Sequence, residues 1–424
     1  MPRASAAVAP TPVKAFFRVV TSAEAREQLS AVAPKTKVEM VPVVAACGRV
    51  LAKALIAPVD LPHFHRANMD GYAVRAQDTF GASPSLPIYL KLVGSVEMGK
   101  EVKRTLKKGE AMRIATGGML PPGADAMVMV EYTEEMGDGT VEIHRSVSPW
   151  ENILRTGEDI KKGAQIFSAG RRLRAQDLGA LTGVGITTVP VHCRPVVALI
   201  STGDEIVAPH QTPKPGQIRN VNQYSLCAMI AEAGGEALDL GVVKDDRAAL
   251  EKAMAQALKV ADIVIISGGS SVGTKDMTVD VICSFPRSEM FFHGISIAPG
   301  KPTIFARAAG KPVMGLPGHP VSALVVFALF AAPLIRMVGG EPPATAFTPS
   351  RTTRATLAQN IASAPGREDY IRVTLEHRNG TLFAHPLPGK SGAIFSLVKA
   401  DGMVCIPHDE EGKEAGEEVA VILF

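Results

Sequence analysis

The sequence predicts a multidomain α/β plus β protein, and three observations carry that reading. From Arg194 to about Ile335 strand-like and helix-like segments alternate. Before them, Pro58 to His144 is a series of short strand-like runs separated by Gly, Pro and Asp, and after Gly339 and Pro342-Pro343 the tail returns to short strands. Alternation of the first kind argues for a mostly parallel sheet covered on both faces, and the flanking textures argue for two β domains. At 424 residues the chain has room for several such cores.

Thr21 offers an N-cap hydroxyl and Glu24 an early acid, so a helix follows over Ala25–Val32. Strands are expected at Tyr72–Arg75, Ile88–Val96, Ala111–Ala115, Ala126–Glu131 and Thr140–His144, then a short helix at Gln176–Thr182. The alternating part reads as strand Val196–Ile200, helix Gln223–Ala233, strand Ala237–Val243, helix Asp246–Lys259, strand Asp262–Ile266 and helix Met277–Cys283. Strands Thr303–Ala306 and Val313–Leu316 follow, then a helix from Val321. The apolar run Val321–Ile335 is short for a membrane span, is followed by Arg336 and is interrupted by Pro333, so a buried helix is expected and no membrane segment. The tail strands are Thr352–Leu357, Tyr370–Leu375, Leu382–His385, Met403–Ile406 and Val419–Leu423.

A net charge of +3, 21% charged and 46% hydrophobic residues are those of an ordinary globular chain and give no field for nucleic acid. Five widely spaced cysteines without a CxxC pair read as reduced core residues of a cytoplasmic protein, with neither disulfide framework nor zinc ribbon. Residues 1–16, rich in Ala and Pro at the start, read as a disordered leader.

Three strands of the α/β part run into loops of small residues: Ser201-Thr202-Gly203-Asp204-Glu205, Ser267-Gly268-Gly269 through Ser271 to Gly273, and Pro317-Gly318-His319-Pro320. Such loops let backbone N–H groups approach an anion, and the last opens a helix whose N-terminus adds about 0.3–1 kcal/mol for an exposed anion. Ligands bind such sheets beyond the carboxyl ends of the strands. Gly269-Ser270-Ser271-Val272-Gly273 also fits the GxSxG elbow of serine esterases, with Ser271 as nucleophile, but no HGGG-type oxyanion element precedes it. Asp70, Asp159, Glu205, Asp245 and Asp276 fall in loops, where turn-forming is the bland role. The alternative is a Mg²⁺ site at Glu205 and Asp276, which leave neighbouring strands.

Taken together, Asn68-Met69-Asp70-Gly71-Tyr72-Ala73-Val74, Arg113-Ile114-Ala115-Thr116-Gly117-Gly118, Pro122-Gly123-Ala124-Asp125 and Gly157-Glu158-Asp159-Ile160 resemble the molybdopterin molybdenumtransferase family. The three loops above, Pro299-Gly300-Lys301-Pro302 and Leu316-Pro317-Gly318-His319-Pro320-Val321-Ser322 extend the resemblance in the same order to the C-terminus. It implies a discontinuous elongated domain at 17–57 and 149–190, an inserted β domain at 58–148, an α/β molybdopterin-binding domain at 191–338 and a C-terminal β-barrel-like domain at 339–424. The resemblance also implies Mg²⁺-dependent hydrolysis of adenylylated molybdopterin, insertion of molybdenum from molybdate, and a homodimer with its site across the dimer contact. The adenylyltransferase and apo-molybdoenzymes are the implied partners.

Carried residue by residue, the catalytic set is Asp70, Thr116, Asp159, Glu205, Asp245 and Asp276. Substrate binding falls to Ser201, Thr202, Gly203, Gly268, Gly269, Ser271, Gly273, Pro317, Gly318 and His319, and the molybdate pocket to Lys301, Pro302, Ser322, Arg367 and Ser391. A non-catalytic scaffold of the same fold, as in the C-terminal part of gephyrin, is the second reading. Three segments depart from the family: Ala298 stands where a basic residue is common, His319 where Asn is usual, and Asn68, with Ala67, where Ser precedes the Met-Asp-Gly-Tyr segment. A missing base beside an oxyanion removes a charge-assisted contact of about 1.5–3 kcal/mol, which leaves molybdate against tungstate open.

Overall fold

The computed structural model describes residues 18–268 and 274–424, with 274–276 described by backbone alone. The expected leader and the candidate residues Gly269, Ser271 and Gly273 lie outside the described residues. The chain divides into two compact units: Met40–Cys47 with Lys53–Val189, and the stretch up to Glu39 with Gly48–Ala52 and Pro190–Phe424.

The smaller unit is built on a six-stranded sheet ordered Ala126–Met129, Gly71–Val74, Glu110–Ile114, Ile88–Ser95, Thr140–Ile143 and Thr133–Glu135. Alternate side chains supply two cores: Tyr72, Val74, Ala111 and Val128 on one face, Ala73, Met112, Ile114 and Met127 on the other. Gly71 is required by close approach, since a Cβ there would meet the Val128 carbonyl oxygen at 2.0 Å. Helix Ala175–Gly183 starts where the buried Asp177 accepts the Arg174 backbone N–H and two bonds from the Arg171 guanidinium.

In the larger unit, strands β1 (Val196–Thr202), β2 (Glu236–Val243), β3 (Ile263–Gly268), β4 (Glu289–His293), β5 (Ile304–Ala308) and β6 (Lys311–Leu316) form one sheet in the order β2-β1-β3-β6-β5-β4. The first four are parallel, as the alternation predicts, and β5 and β4 add antiparallel strands at one edge. Val197–Ile200 and Ile263–Ile266 are fully buried, the continuous apolar runs of strands covered on both faces. Helices α1 (Asn222–Glu232), α2 (Arg247–Val260) and α3 (Thr274–Ser284) connect them. Asp246 caps α2 by accepting the Ala249 N–H at 2.8 Å.

After β6, α4 (Pro320–Val326), a π-helical turn (Phe327–Ala331) and α5 (Ala332–Val338) make one unbroken helical path. The interruption expected at Pro333 is absent, since the helical path continues through it. Proline lacks the N–H for the Leu329 carbonyl and its ring crowds that oxygen; the widened turn just before it takes up both effects. The path Pro320–Val338 is long and apolar enough to cross a membrane, yet 78% of it is buried within the protein, as expected of a core helix.

Strands β7 (Thr352–Leu357), β8 (Glu368–Arg378), β9 (Thr381–Pro386), β10 (Gly402–Ile406) and β11 (Glu418–Leu423) close into a five-stranded barrel in the order β8-β9-β7-β11-β10, with β10 pairing back to β8. The multidomain α/β plus β expectation, with a barrel-like C-terminal part, is therefore borne out. Residues Ile297–Ala298 pair in parallel with Glu368 and Asp369 of β8, so the barrel is hydrogen-bonded to the α/β part. The five cysteines are free, and the core expectation holds only in part: Cys47 and Cys283 are exposed and Cys193 is half-buried, while Cys227 and Cys405 are half-buried and pack against the main apolar cluster.

Candidate functional site

The carboxyl ends of β1, β3 and β6 open into a cleft of about 770 Å³. Ser201, Thr202, Gly203, Glu205, Asp245, Ser267, Gly268, Gly318 and His319 line it, so the structure gathers residues that the sequence spread over more than a hundred positions. Parallel pairing sets Thr202 against Gly268, and the approach is so close that a Cβ on Gly268 would lie 2.2 Å from the Thr202 carbonyl oxygen. At Gly203, φ is +147° and a Cβ would lie 2.8 Å from Glu205 Oε2, so the carboxylate folds over bare backbone. Pro317 lines the neighbouring pocket instead.

Three buried polar atoms in this cleft lack a partner among the described residues: Thr202 Oγ1, Asn222 Oδ1 and Asp245 Oδ1. Orphaned groups of this kind cost about 1–3 kcal/mol each unless something bonds to them, which marks the cleft as built for a polar ligand. Burial, then Asp204 and Glu205, push the Asp245 carboxyl up from its ordinary value. Crowded carboxylate oxygens are the donor set that a hard divalent cation takes, so Glu205 and Asp245 fit Mg²⁺. Asp276 lies in the first turn of α3, after the neighbouring strand, and its side chain is outside the described residues.

A second pocket, of about 490 Å³, brings together all five residues assigned to an oxyanion: Lys301, Pro302, Ser322, Arg367 and Ser391. Ala298 lines it too. Arg367 is already engaged: Nε lies 2.8 Å from Asp369 Oδ1 as an ion pair, and Nη2 donates to Oδ2 at 3.2 Å. Lys301 has no acidic partner within 4 Å among the described residues and is the less compensated charge. The helix start contributes less than the sequence suggests, because Pro320 has no N–H and Val321 gives its N–H to the Ser391 carbonyl at 3.0 Å.

In the smaller unit Asp70 accepts from both the backbone N–H and the hydroxyl of Thr116, each at 2.7 Å. Those bonds, the backbone one first, hold its carboxyl below the usual range. Asp159 is exposed on its loop, its N–H given to the Leu61 carbonyl at 3.0 Å.

The comparisons with known proteins agree along the chain. The family described as MoeA N-terminal region (domain I and II) matches residues 20–185, the probable molybdopterin binding domain 198–337, and the MoeA C-terminal region (domain IV) 354–424. A molybdopterin molybdenumtransferase 2 of Mycobacterium tuberculosis is 35% identical over 385 residues, 90% of this chain and 94% of the relative. The chain belongs to the molybdopterin molybdenumtransferase family. A molybdopterin molybdenumtransferase of Nostoc is 34% identical over 394 residues, covering 91% of this chain and 88% of that one. A molybdopterin biosynthesis MoeA protein from Pyrococcus horikosii, solved as a crystal structure, superposes with a TM-score of 0.77 at 40% identity, covering 96% and 99% of the two chains.

Within this family fold, sequence reasoning passed over Asn220, Asn222 and Arg219, which line the cleft. Asn222 Nδ2 donates to Ser267 Oγ at 3.0 Å and to the Gly318 carbonyl at 2.9 Å, tying two of the loops together. Asn220 Nδ2 reaches Ser201 Oγ at 3.2 Å. The signal was the pair of asparagines at the start of α1, where Asn suits helix entry and its amide has spare bonding capacity.

Proposed function

We propose that this chain, within its family's transfer of molybdenum to molybdopterin, accepts adenylylated molybdopterin in the 770 Å³ cleft, hydrolyses the adenylate and receives molybdenum as molybdate in the neighbouring pocket. The observation that carries the reading is the set of three orphaned polar atoms, Thr202 Oγ1, Asn222 Oδ1 and Asp245 Oδ1, in one cleft beside a pocket with a lysine. A hydroxyl donor next to glycine backbone suits phosphate, and an amide oxygen suits the N–H groups of a pterin. Glu205 and Asp276, with Asp245, would hold Mg²⁺. When bound, the ion offsets the charge of the phosphoanhydride. In hydrolysis, water adds to the adenylate phosphorus, the P–O bond to the molybdopterin phosphate breaks, and AMP leaves. A carboxylate of the cleft takes the proton that water gives up.

Replacing Glu205 or Asp276 by Ala is expected to abolish AMP release while thermal unfolding stays close to wild type. AMP release at the wild-type rate in both variants would sink the Mg²⁺ role. We further take the protein to act as a homodimer in the cytoplasm, with the adenylyltransferase and apo-molybdoenzymes as partners. Sedimentation equilibrium returning the mass of one chain would refute the homodimer.

A further inference from the structure

His319 lines both the cleft and the pocket, so the residue stands on their common wall. Its Nδ1 is 2.8 Å from Ser391 Oγ. The loop beneath it is held on each side: the Gly318 carbonyl accepts from Asn222, the His319 carbonyl accepts the Ala323 N–H at 2.9 Å, and Ser391 is tied by its own carbonyl to Val321. The backbone is fixed while the ring itself stays exposed.

The proposed reaction places a demand on that wall. Joining molybdate to a dithiol reads MoO₄²⁻ + R(SH)₂ → [R(S)₂MoO₃]²⁻ + H₂O. Two Mo–S bonds form, one Mo–O bond breaks, no atom is oxidised or reduced, and two protons pass from sulfur to the departing oxygen. The sulfurs arrive from the cleft and the oxygens from the pocket, so the protons must cross between them. The pocket side offers Lys301 and Arg367, with Lys390 on the loop of Ser391; Arg367 is paired with Asp369. The cleft side offers Glu205, Asp245 and Arg219. Among the described residues, His319 alone lines both spaces, and an imidazole has one nitrogen that can accept a proton and another that can donate one.

Resting on the proposed function, we propose that His319 is the proton-transferring residue of molybdenum insertion: it takes thiol protons at one nitrogen and delivers them, directly or through Ser391, to the oxygen that leaves as water. His319→Asn keeps an amide able to bond Ser391 but cannot carry a proton, and His319→Gln is the second variant should the first fail to fold. The experiment is single-turnover molybdenum transfer to molybdopterin across pH, with the full-length protein and molybdate.

The expected result is a loss of about 10²–10⁴-fold in the transfer rate and disappearance of one ionisation from the pH profile. Added imidazole should restore transfer in His319→Gly. A variant that keeps the wild-type profile, or that loses rate equally at every pH with the ionisation still present, overturns the relay. Wild-type protein that transfers no molybdenum overturns the proposed function and the relay with it, whereas active wild type with unaffected variants overturns the relay alone.

Discussion

Gly268→Ala isolates the contact on which the cleft is built. At φ +119° an L side chain is strained, which costs about 1–3 kcal/mol. The new Cβ would in addition lie 2.2 Å from the Thr202 carbonyl oxygen and 2.8 Å from Thr202 Oγ1, and relieving such an overlap costs about 1–3 kcal/mol more. The only relief is to move the ends of β1 and β3 apart, which displaces Thr202 and the Gly203–Glu205 loop from the ligand. Gly380→Ala is the control: φ is +79°, nothing lies within 4 Å of the built Cβ, and only the strain remains. Thermal unfolding should fall by about 2–4 °C per kcal/mol, further for Gly268→Ala than for the control. Molybdopterin affinity by titration should fall in Gly268→Ala alone. Equal unfolding of the two variants, with wild-type affinity in the first, would refute the close-approach argument.

Asp177→Asn should destabilise the smaller unit by about 1–3 kcal/mol, since it removes a buried charged acceptor from Arg171 and Arg174. Burial raises that carboxyl, but the two arginines outweigh it and hold it well below the usual range. Its contribution is therefore complete above an unfolded value near about 3.9 and is lost as pH falls below it, so wild type and variant should converge in acid unfolding curves. Asp245→Asn should act in the opposite direction. Its raised carboxyl makes the folded state lose stability as pH climbs from the unfolded value through the folded one, so the variant should melt higher at neutral pH while losing Mg²⁺-dependent stabilisation in the same scan. Ala298→Lys places a base on the pocket wall and should raise molybdate affinity by roughly tenfold, or about 1.4 kcal/mol, by calorimetry; equal or weaker binding in a folded variant would show that the pocket holds its anion otherwise.

The parallel core was legible because strands buried on both faces must be apolar throughout, and Val197–Ile200 and Ile263–Ile266 are. That rule also placed the three loops at one sheet edge. Strand β4 was not legible: it is an edge strand set between Pro286 and Gly294, five residues long, and its pairing to β5 is antiparallel in a region whose rhythm predicts parallel strands. The π-helical turn escaped because no residue type encodes it; it is a response to Pro333 under tight burial. In the site, glycines and acids announced themselves by type, whereas Asn222 did so only through two bonds to residues 45 and 96 positions away. Sequence spacing likewise gave no hint that Arg367 would be taken up by Asp369, because Arg367 lies just outside β8 and its direction is set by the loop before it.

The short pairing of Ile297–Ala298 with β8 has an evolutionary consequence. Lys301 follows that pairing by a few residues, and Arg367 immediately precedes β8, so the two bases stand on opposite sides of a seam between an α/β core and a barrel. Tyr370 and Met403 of the barrel pack into the same apolar cluster as Phe327 and Phe330, which makes the seam continuous with the interior. Repacking inside the barrel therefore alters the separation of the bases without changing any residue of the proposed oxyanion pocket. Selectivity among oxyanions of similar charge and different size can drift by substitutions that a comparison of pocket residues alone would pass over.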